Sequence, residues 1–284
     1  MISAKVIEDS VIDDKGAMYY GKRIATLEIK FHRFILPEFN THRVFSRNFS
    51  SSRAIPTKKL LEQVRTNPAI PIHWGKNEAG MQANQELEGL ALAEAQKQWK
   101  FAAIDAADNA ERLSNLGAHK QIVNRIIEPF LWVTGIVTST EWDNWFELRD
   151  HPDAQPEIHE LARCMRTALN SSLPTKLKFN EWHLPYVKPS ERITETSDRM
   201  LWQKVSAARC CRVSYLKHDG TAPNIEDDLA LFDRLAGAVP LHASPLEHQA
   251  TPCVSFLDGA ESGNFKGWVQ YRKIWENELY EKEI

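Results

Sequence analysis

Between residues 24 and 32 apolar and polar side chains alternate, with Leu27, Ile29 and Phe31 on one side and Thr26, Glu28 and Lys30 on the other. A period of two predicts a half-buried strand there, and the apolar run over 131–137 predicts another. Over 82–116 the pattern changes to Leu87, Leu90, Ala95, Ala102, Ala106, Ala110 and Leu113 in a background of Ala, Leu, Glu and Gln. That predicts one long helix or two joined, ended by Gly117. A short helix is expected from Lys120, burying Ile122, Val123, Ile126 and Ile127, with Gln121 and Arg125 on the opposite face and Pro129 as its stop. The run Thr140-Glu141-Trp142-Asp143 has the form of a capping box and predicts a helix through Trp145, Phe146 and Leu148 that ends at Arg149. A cation there also answers the helix dipole. Asp153 is expected to cap a further helix, with Pro156 in its first turn and Ile158, Leu161, Ala162, Met165 and Leu169 as its buried stripe. Residues 201–211 and 226–236 read as helices, and 171–195, with Pro174, Pro185 and Pro189, as a long connection.

The strand over 24–32 delivers the chain to an unusual polar stretch, residues 38–53. His42, Arg43, Arg47 and Arg53 stand there among Ser46, Asn48, Ser50, Ser51 and Ser52. Arginine gives phosphate two parallel hydrogen bonds, and short hydroxyls and amides add compact donors that leave a ligand room. A solvated loop is the plainer account of such composition. Its position at the end of a strand favours a site, because binding loops are held by rigid elements.

Composition narrows the partners. A formal charge of -3 and a pI of 6.4, with no block of like charge at either end, leave no electrostatic footprint for a nucleic-acid polymer. A mononucleotide needs only a local cluster. Four cysteines, two of them adjacent at Cys210 and Cys211, fit neither a disulfide framework nor paired zinc-ligand spacing and suit a reducing cytoplasm. No apolar run approaches the ~20 residues of a membrane helix. His242, Glu247 and His248 lack a third suitably spaced metal ligand, so no metal site is expected.

Motifs sharpen the picture. Thr41-His42-Arg43, Ser46, Asn48, Ser51 and Arg53 fall at the spacings of an Arg-His-Arg-x-x-Ser-x-Asn-Glu-x-Ser-x-Arg signature. Arg125 with Pro129, Asn144 with Leu148-Arg149, and Ala154-Gln155-Pro156-Glu157-Ile158 match a second block in the right order. With these the chain resembles the flavin-dependent thymidylate synthases, the ThyX family. Two further family segments, matched by Arg212-Val213-Ser214-Tyr215 and by 242–248, come after the signature here instead of before it. A circular permutation accounts for that order and predicts that a strand over 251–256 joins the sheet of 24–32. Gln270-Tyr271-Arg272 echoes the glutamine that precedes the family signature, while 56–81 and the tail past 259 have no counterpart.

The resemblance implies an α+β fold, a mostly antiparallel β-sheet flanked by helices. It implies one catalytic domain over 1–284, with blocks at 24–170 and 201–256 and a linker-like 171–200. It further implies a cytoplasmic homotetramer with shared active sites that converts dUMP to dTMP, using methylenetetrahydrofolate as carbon donor, FAD as cofactor and NADPH as reductant. Carried over by position, Glu38, Ser51, Arg53, Arg125 and Arg149 would hold the nucleotide, with Arg149 and Ser51 catalytic. His42, Arg43, Ser46, Asn48, Asn144 and His248 would hold FAD. Thr41, Phe49, Glu38 and Asp153 depart from the family's arginine, glutamate, glutamine and histidine. Two other readings therefore stay open: a pyrimidine-nucleotide C5-hydroxymethylase, in which water replaces hydride, and a nucleotide-binding homologue without turnover.

Overall fold

A computed structural model describes residues 1–192, 200–213, 221, 222, 224–253 and 262–275. Five strands make the main sheet: β1 (Ser3–Ile12), β2 (Arg23–His32), β3 (Ser46–Phe49), β4 (Trp132–Ser139) and β5 (Thr175–Leu177), in the order β3-β4-β2-β1-β5. All neighbours are antiparallel except β1 and β5, which are parallel. The mostly antiparallel α+β architecture is as the resemblance implies. The helices are α1 (Leu36–Phe39), α2 (Thr57–Thr66), α3 (Gly89–Asn115), α4 (Lys120–Val123), α5 (Asp143–Arg149), α6 (Pro156–Asn170), α7 (Leu201–Arg212) and α8 (Ile225–Ala236).

Both faces of the sheet are covered. On one, Leu27, Ile29, Phe31, Val133 and Val137 meet the apolar stripe of α6, whose Ile158, Leu161, Ala162 and Met165 are fully enclosed. Pro156 opens α6 at its first position, where a missing N–H is harmless, and Gln155, not Asp153, is its N-cap residue. On the other face, Ile136 packs on Tyr186, Cys210 and Val213, and the Tyr186 hydroxyl donates to Glu28 at 2.6 Å. Arg209 on α7 is buried yet satisfied: its guanidinium bonds Asp228 of α8, Glu191 and the Tyr186 carbonyl at 2.8–3.0 Å. A buried charge persists only when paired in this way. The rest of the expected Arg212-Val213-Ser214-Tyr215 match, Ser214 and Tyr215, lies outside the described residues.

Several local expectations are corrected. The long helix begins at Gly89, because residues 74–87 turn back on themselves through a Gly75–Glu86 bridge. Its buried face carries Ala103, Ala107 and Ala110, leaving Ala102 exposed and Leu90 90% exposed. Alanine offers little contrast from which to fix a helix's phase. In α4 and the turn after it Val123 and Ile127 are enclosed, whereas Ile122 and Ile126 face outward. The capping box does not form: α5 has no side-chain cap, and the Thr140 hydroxyl accepts instead from the Lys266 N–H at 2.9 Å. The polar stretch is not a plain loop, since 46–49 are strand β3, paired with β4. Nor is 171–200 only a connection, for it contains β5.

The described part of 251–256 does not join the main sheet. Ala250–Pro252 forms β6 and pairs with β7 (Trp268–Gln270) in a separate two-stranded sheet, and 254–256 lie outside the described residues. The displaced segment nevertheless reaches β4 through the side chain of His248, as described below. No described helix is long and apolar enough to cross a membrane.

Phe49, where the family has a carboxylate, points into the core. Its ring lies edge-on to Phe31 and Phe39 and covers Gly135 of β4. A Cβ on Gly135 would fall 2.0 Å from the Phe49 ring and 2.9 Å from the Asn48 carbonyl oxygen. Gly135→Ala is therefore expected to cost about 1–3 kcal/mol, the range for overpacking. Urea unfolding reads this as a lowered midpoint, and an unchanged midpoint rejects the account.

Candidate active site

The signature segment folds around His42, which is only 7% exposed. Its ring lies edge-on to Trp145 at 4.7 Å and stacks on Phe45 at 6.0 Å. Burial, then the charges of Arg149 and Arg47, depress its pKa to about 4. The neutral imidazole accepts through Nε2 from Arg149 Nε at 2.9 Å, which assigns its proton to Nδ1. Arg149 sits at the end of α5, and its Nη2 is 3.5 Å from the Thr41 hydroxyl. Thr41 thus meets Arg149 where the family's arginine would repel it. No described carboxylate pairs with Arg149, so its remaining N–H groups are free to meet a ligand.

Arg149 lines a cleft of about 1070 Å³ together with Glu38, Phe34, Trp99, Asp153 and residues of the 71–84 segment. Glu38 Oε2 is buried there without a hydrogen-bond partner among the described residues. An unsatisfied carboxylate oxygen costs free energy unless a donor arrives, which makes Glu38 a group prepared for one. The Gln82 amide donates to the Asp153 carbonyl at 2.6 Å and fastens the 74–87 hairpin across the cleft. Glu157, 3% exposed, anchors the base of that segment by accepting from the Ile72 N–H at 3.0 Å. Glu157 belongs to a motif read from the sequence, but its anchoring role carries no signature of its own.

Arg53, Ser51 and Arg125 form a second, more exposed group. Neither arginine lines the Arg149 cleft, so one chain does not gather the three arginines into one cavity. Glu128 organises this second group. It accepts from the Ser52 hydroxyl at 2.5 Å and from Arg125 Nη1 at 3.0 Å, and lies 3.2 Å from Arg33 Nη2. Burial works against its ionisation, but Ser52, Arg33 and Arg125 outweigh burial and hold its carboxyl below the ordinary range. The Asn124 amide fixes the turn by donating to the Ser52 carbonyl at 2.7 Å, which leaves Ser51 and Arg53 exposed beside Arg125's neighbour.

The remaining residues expected at a cofactor divide in two. Arg43 and Asn144 are exposed. Ser46, Asn48 and His248 are turned inward. Asn48 donates to the Cys210 carbonyl at 2.9 Å, and Ser46 to Asn264 at 3.0 Å while accepting from Gln270 at 3.2 Å. His248 is fully enclosed and bonds Thr138 through Nδ1 at 2.8 Å. That contact ends a buried chain in which Thr138 meets Thr26 at 2.6 Å, Thr26 meets His183 at 2.8 Å, and His183 meets Ser10 at 2.9 Å. Burial lowers the pKa of His248 to about 3 and that of His183 well below its usual value, so both rings are neutral. Cys210 and Cys211 have thiols pushed up by burial, the opposite of what nucleophiles need.

The family described as Thymidylate synthase complementing protein matches residues 23–175, more than half of the chain. The chain belongs to that family. No curated protein matches it. Among solved structures it is similar to a UMP/dUMP methylase, PolB from Streptomyces cacaoi, bound with 5-Br dUMP. Identity is 15%, 60% of this chain and 90% of that one are covered, and the TM-score is 0.46. A second structure of PolB, bound with 5-Br UMP, gives the same identity and TM-score over 88% of its own chain.

For a member of the thymidylate synthase complementing family, the chain outside the match is closely involved with the signature. His183, His248, Asn264 and Gln270 all lie beyond residue 175, and each reaches β2, β3 or β4. The glutamine echo at Gln270 thus has a physical content, since its amide bonds Ser46 within the signature. His183, Asn264 and Gln270 are separated from their partners by more than 150 residues, and no local spacing could have linked them.

Proposed function

We propose that this family member is a flavin-dependent thymidylate synthase, methylating dUMP with a carbon unit from methylenetetrahydrofolate and reducing power from NADPH. Family membership supports an enzyme of nucleotide C5 chemistry. The observation that carries the reading further is Arg149, which a neutral histidine fixes and no described carboxylate pairs with, on the wall of a cleft large enough for a nucleotide. A guanidinium held there stabilises negative charge as it develops on the uracil ring, and because it is preoriented it need not reorganise during the reaction. Glu38 offers its unsatisfied oxygen to a ring N–H or a ribose hydroxyl. The exposed pair Arg53 and Arg125, with Ser51, suits the nucleotide phosphate.

Their separation from Arg149 within one chain fits a site completed by a second copy, in a homotetramer. A bound flavin would supply the hydride, and the cationic Arg43 side of the signature fits its diphosphate. Ser46, Asn48 and His248 support that side from inside. The chain's own residues orient and polarise; none is required as a nucleophile.

The test is release of tritium from C5-labelled dUMP by purified, flavin-loaded protein. Release that needs both the folate and NADPH supports the proposal. Release without NADPH points to hydroxymethyl transfer, and nucleotide binding without release defeats the enzyme reading altogether.

A further inference from the structure

Among the described residues four carboxylates line the Arg149 cleft: Glu38, Asp153, Glu157 and Glu160. Three of them are accounted for. Glu157 accepts from the Ile72 N–H at 3.0 Å and from the Gln155 amide at 3.2 Å, Glu160 pairs with Arg163 at 2.7 Å, and Asp153 stands exposed to water. Glu38 differs. Its carboxylate has no hydrogen bond or ion pair among the described residues, and its Oε2 is buried. Its backbone is fixed: Phe39, the next residue, is enclosed against Phe31, Phe45 and Trp145, and the Glu38 carbonyl accepts from the Thr41 hydroxyl at 2.7 Å. The same hydroxyl lies 3.5 Å from Arg149 Nη2, so one threonine ties both charged residues to one wall. They do not pair with each other, and anion and cation both stay available to whatever enters.

Arg149 offers a fork of parallel N–H donors, and the Glu38 carboxylate only accepts. Along its pairing edge cytosine presents two adjacent acceptors, O2 and N3, and then the donor of its 4-amino group. A fork beside a carboxylate complements all of these, and aspartate and glutamate are standard acceptors for that amino group in base recognition. Uracil presents acceptor, donor, acceptor. Glu38 takes its N3–H and one prong of the fork takes a carbonyl, but the second carbonyl is left facing a carboxylate oxygen. A glutamine, which the family has at this position, carries an acceptor and a donor together and satisfies N3–H and O4 at once. Glutamate removes that donor. We propose that Glu38 is the base-selecting residue, and that this cleft takes a cytosine nucleotide such as dCMP as well as dUMP, and holds it more tightly. The inference rests on the reading that the Arg149 cleft holds the pyrimidine, and changes which pyrimidine it holds best.

The test is calorimetric titration of the full chain with dCMP, with dUMP, and with the deoxynucleotide of pyrimidin-2-one, which keeps O2 and N3 but lacks the 4-amino group. dCMP is expected to bind about tenfold more tightly than either, the usual worth of a charge-assisted bond. Glu38→Gln is expected to erase that advantage by weakening dCMP and tightening dUMP, an exchange of preference that misfolding cannot imitate. The pyrimidin-2-one nucleotide is expected to be indifferent to the substitution. Equal loss of dCMP and dUMP in Glu38→Gln, or unsubstituted protein that binds dUMP the more tightly, overturns the assignment. So does a loss confined to UMP and CMP, which would give Glu38 to the ribose 2′-hydroxyl. Tritium release from C5-labelled dUMP separates this inference from the enzyme reading. Release that persists while dCMP fails to bind rejects the role of Glu38 and keeps the enzyme; a Glu38-dependent preference for dCMP without release keeps that role and rejects the enzyme.

Discussion

Replacing Arg149 by alanine is expected to lower tritium release from C5-labelled dUMP by about 10²–10³-fold, the range for losing one preoriented donor to a developing anion. The fold is expected to survive. Within the chain the side chain contributes a hydrogen bond to His42 and a cation at a helix end, each worth about 1 kcal/mol or less. His42 supplies an independent readout. With Arg149 gone, one of the cations that depress its pKa disappears, so its NMR titration is expected to move up from about 4 while burial and Arg47 still hold it below 6.5. Arg149→Lys keeps the charge but not the fork, and so is expected to rescue the histidine titration more than the turnover. Full turnover in Arg149→Ala, with the shift in His42 present, removes Arg149 from the chemistry.

The second large effect is on stability in mild acid. His42 and His248 have folded pKa values of about 4 and about 3, and His183 lies well below its usual value, all chiefly through burial. Above pH ~6.5 these rings are neutral in both states and add no pH dependence. As pH falls below that, the unfolded chain takes up protons that the folded chain refuses. Each histidine then removes about 1.4 kcal/mol of stability per pH unit, until its folded pKa is reached. Glu8 works in the opposite sense, because burial raises its pKa to about 7 against the pull of Arg192. Between about pH 6.5 and 4.5 the folded Glu8 holds its proton more firmly than the unfolded one. Together these four groups give a slope of about 3 kcal/mol per pH unit, large against a typical domain stability of about 5–15 kcal/mol, and His32, whose pKa burial also lowers, acts in the same direction as the other histidines. Urea midpoints at pH 7.5, 6 and 5 are expected to fall steeply, and a flat series refutes the neutral-histidine account.

Much of this architecture was legible wherever side-chain contrast is strong. The stripe of α6 names its own buried face, and α7 and α8 lie within one residue of expectation; the alternation in β2 finds the strand but not that its Thr26 side is covered as well. β1 went unread because a bulge between Val6 and Glu8 breaks its alternation, and because it buries Asp9, which only its pairing with Arg23 at 2.6–2.8 Å makes tolerable. α3 misled in phase for want of contrast among its alanines. At the site, motif spacing singled out His42, Arg43 and Arg149 as expectations, from two separate blocks, and the structure brings His42 and Arg149 into contact. That spacing could not reveal that Ser46, Asn48 and the Nδ1 of His248 are engaged in internal bonds, because their partners come from parts of the chain that meet only after folding.

The threonine–histidine chain through the middle of the molecule bears on how this protein can be divided. Residues 23–175 carry Thr26 and Thr138 but neither of the imidazoles that cover them, and Ser10 lies on a strand that precedes the matched stretch. Excised alone, that stretch would bare two hydroxyls and an apolar sheet face to solvent, and would lose the roof over β2 and β4. The matched portion is thus expected not to fold as a module by itself, and recombining it with other relatives would require transplanting the C-terminal part that covers it as well.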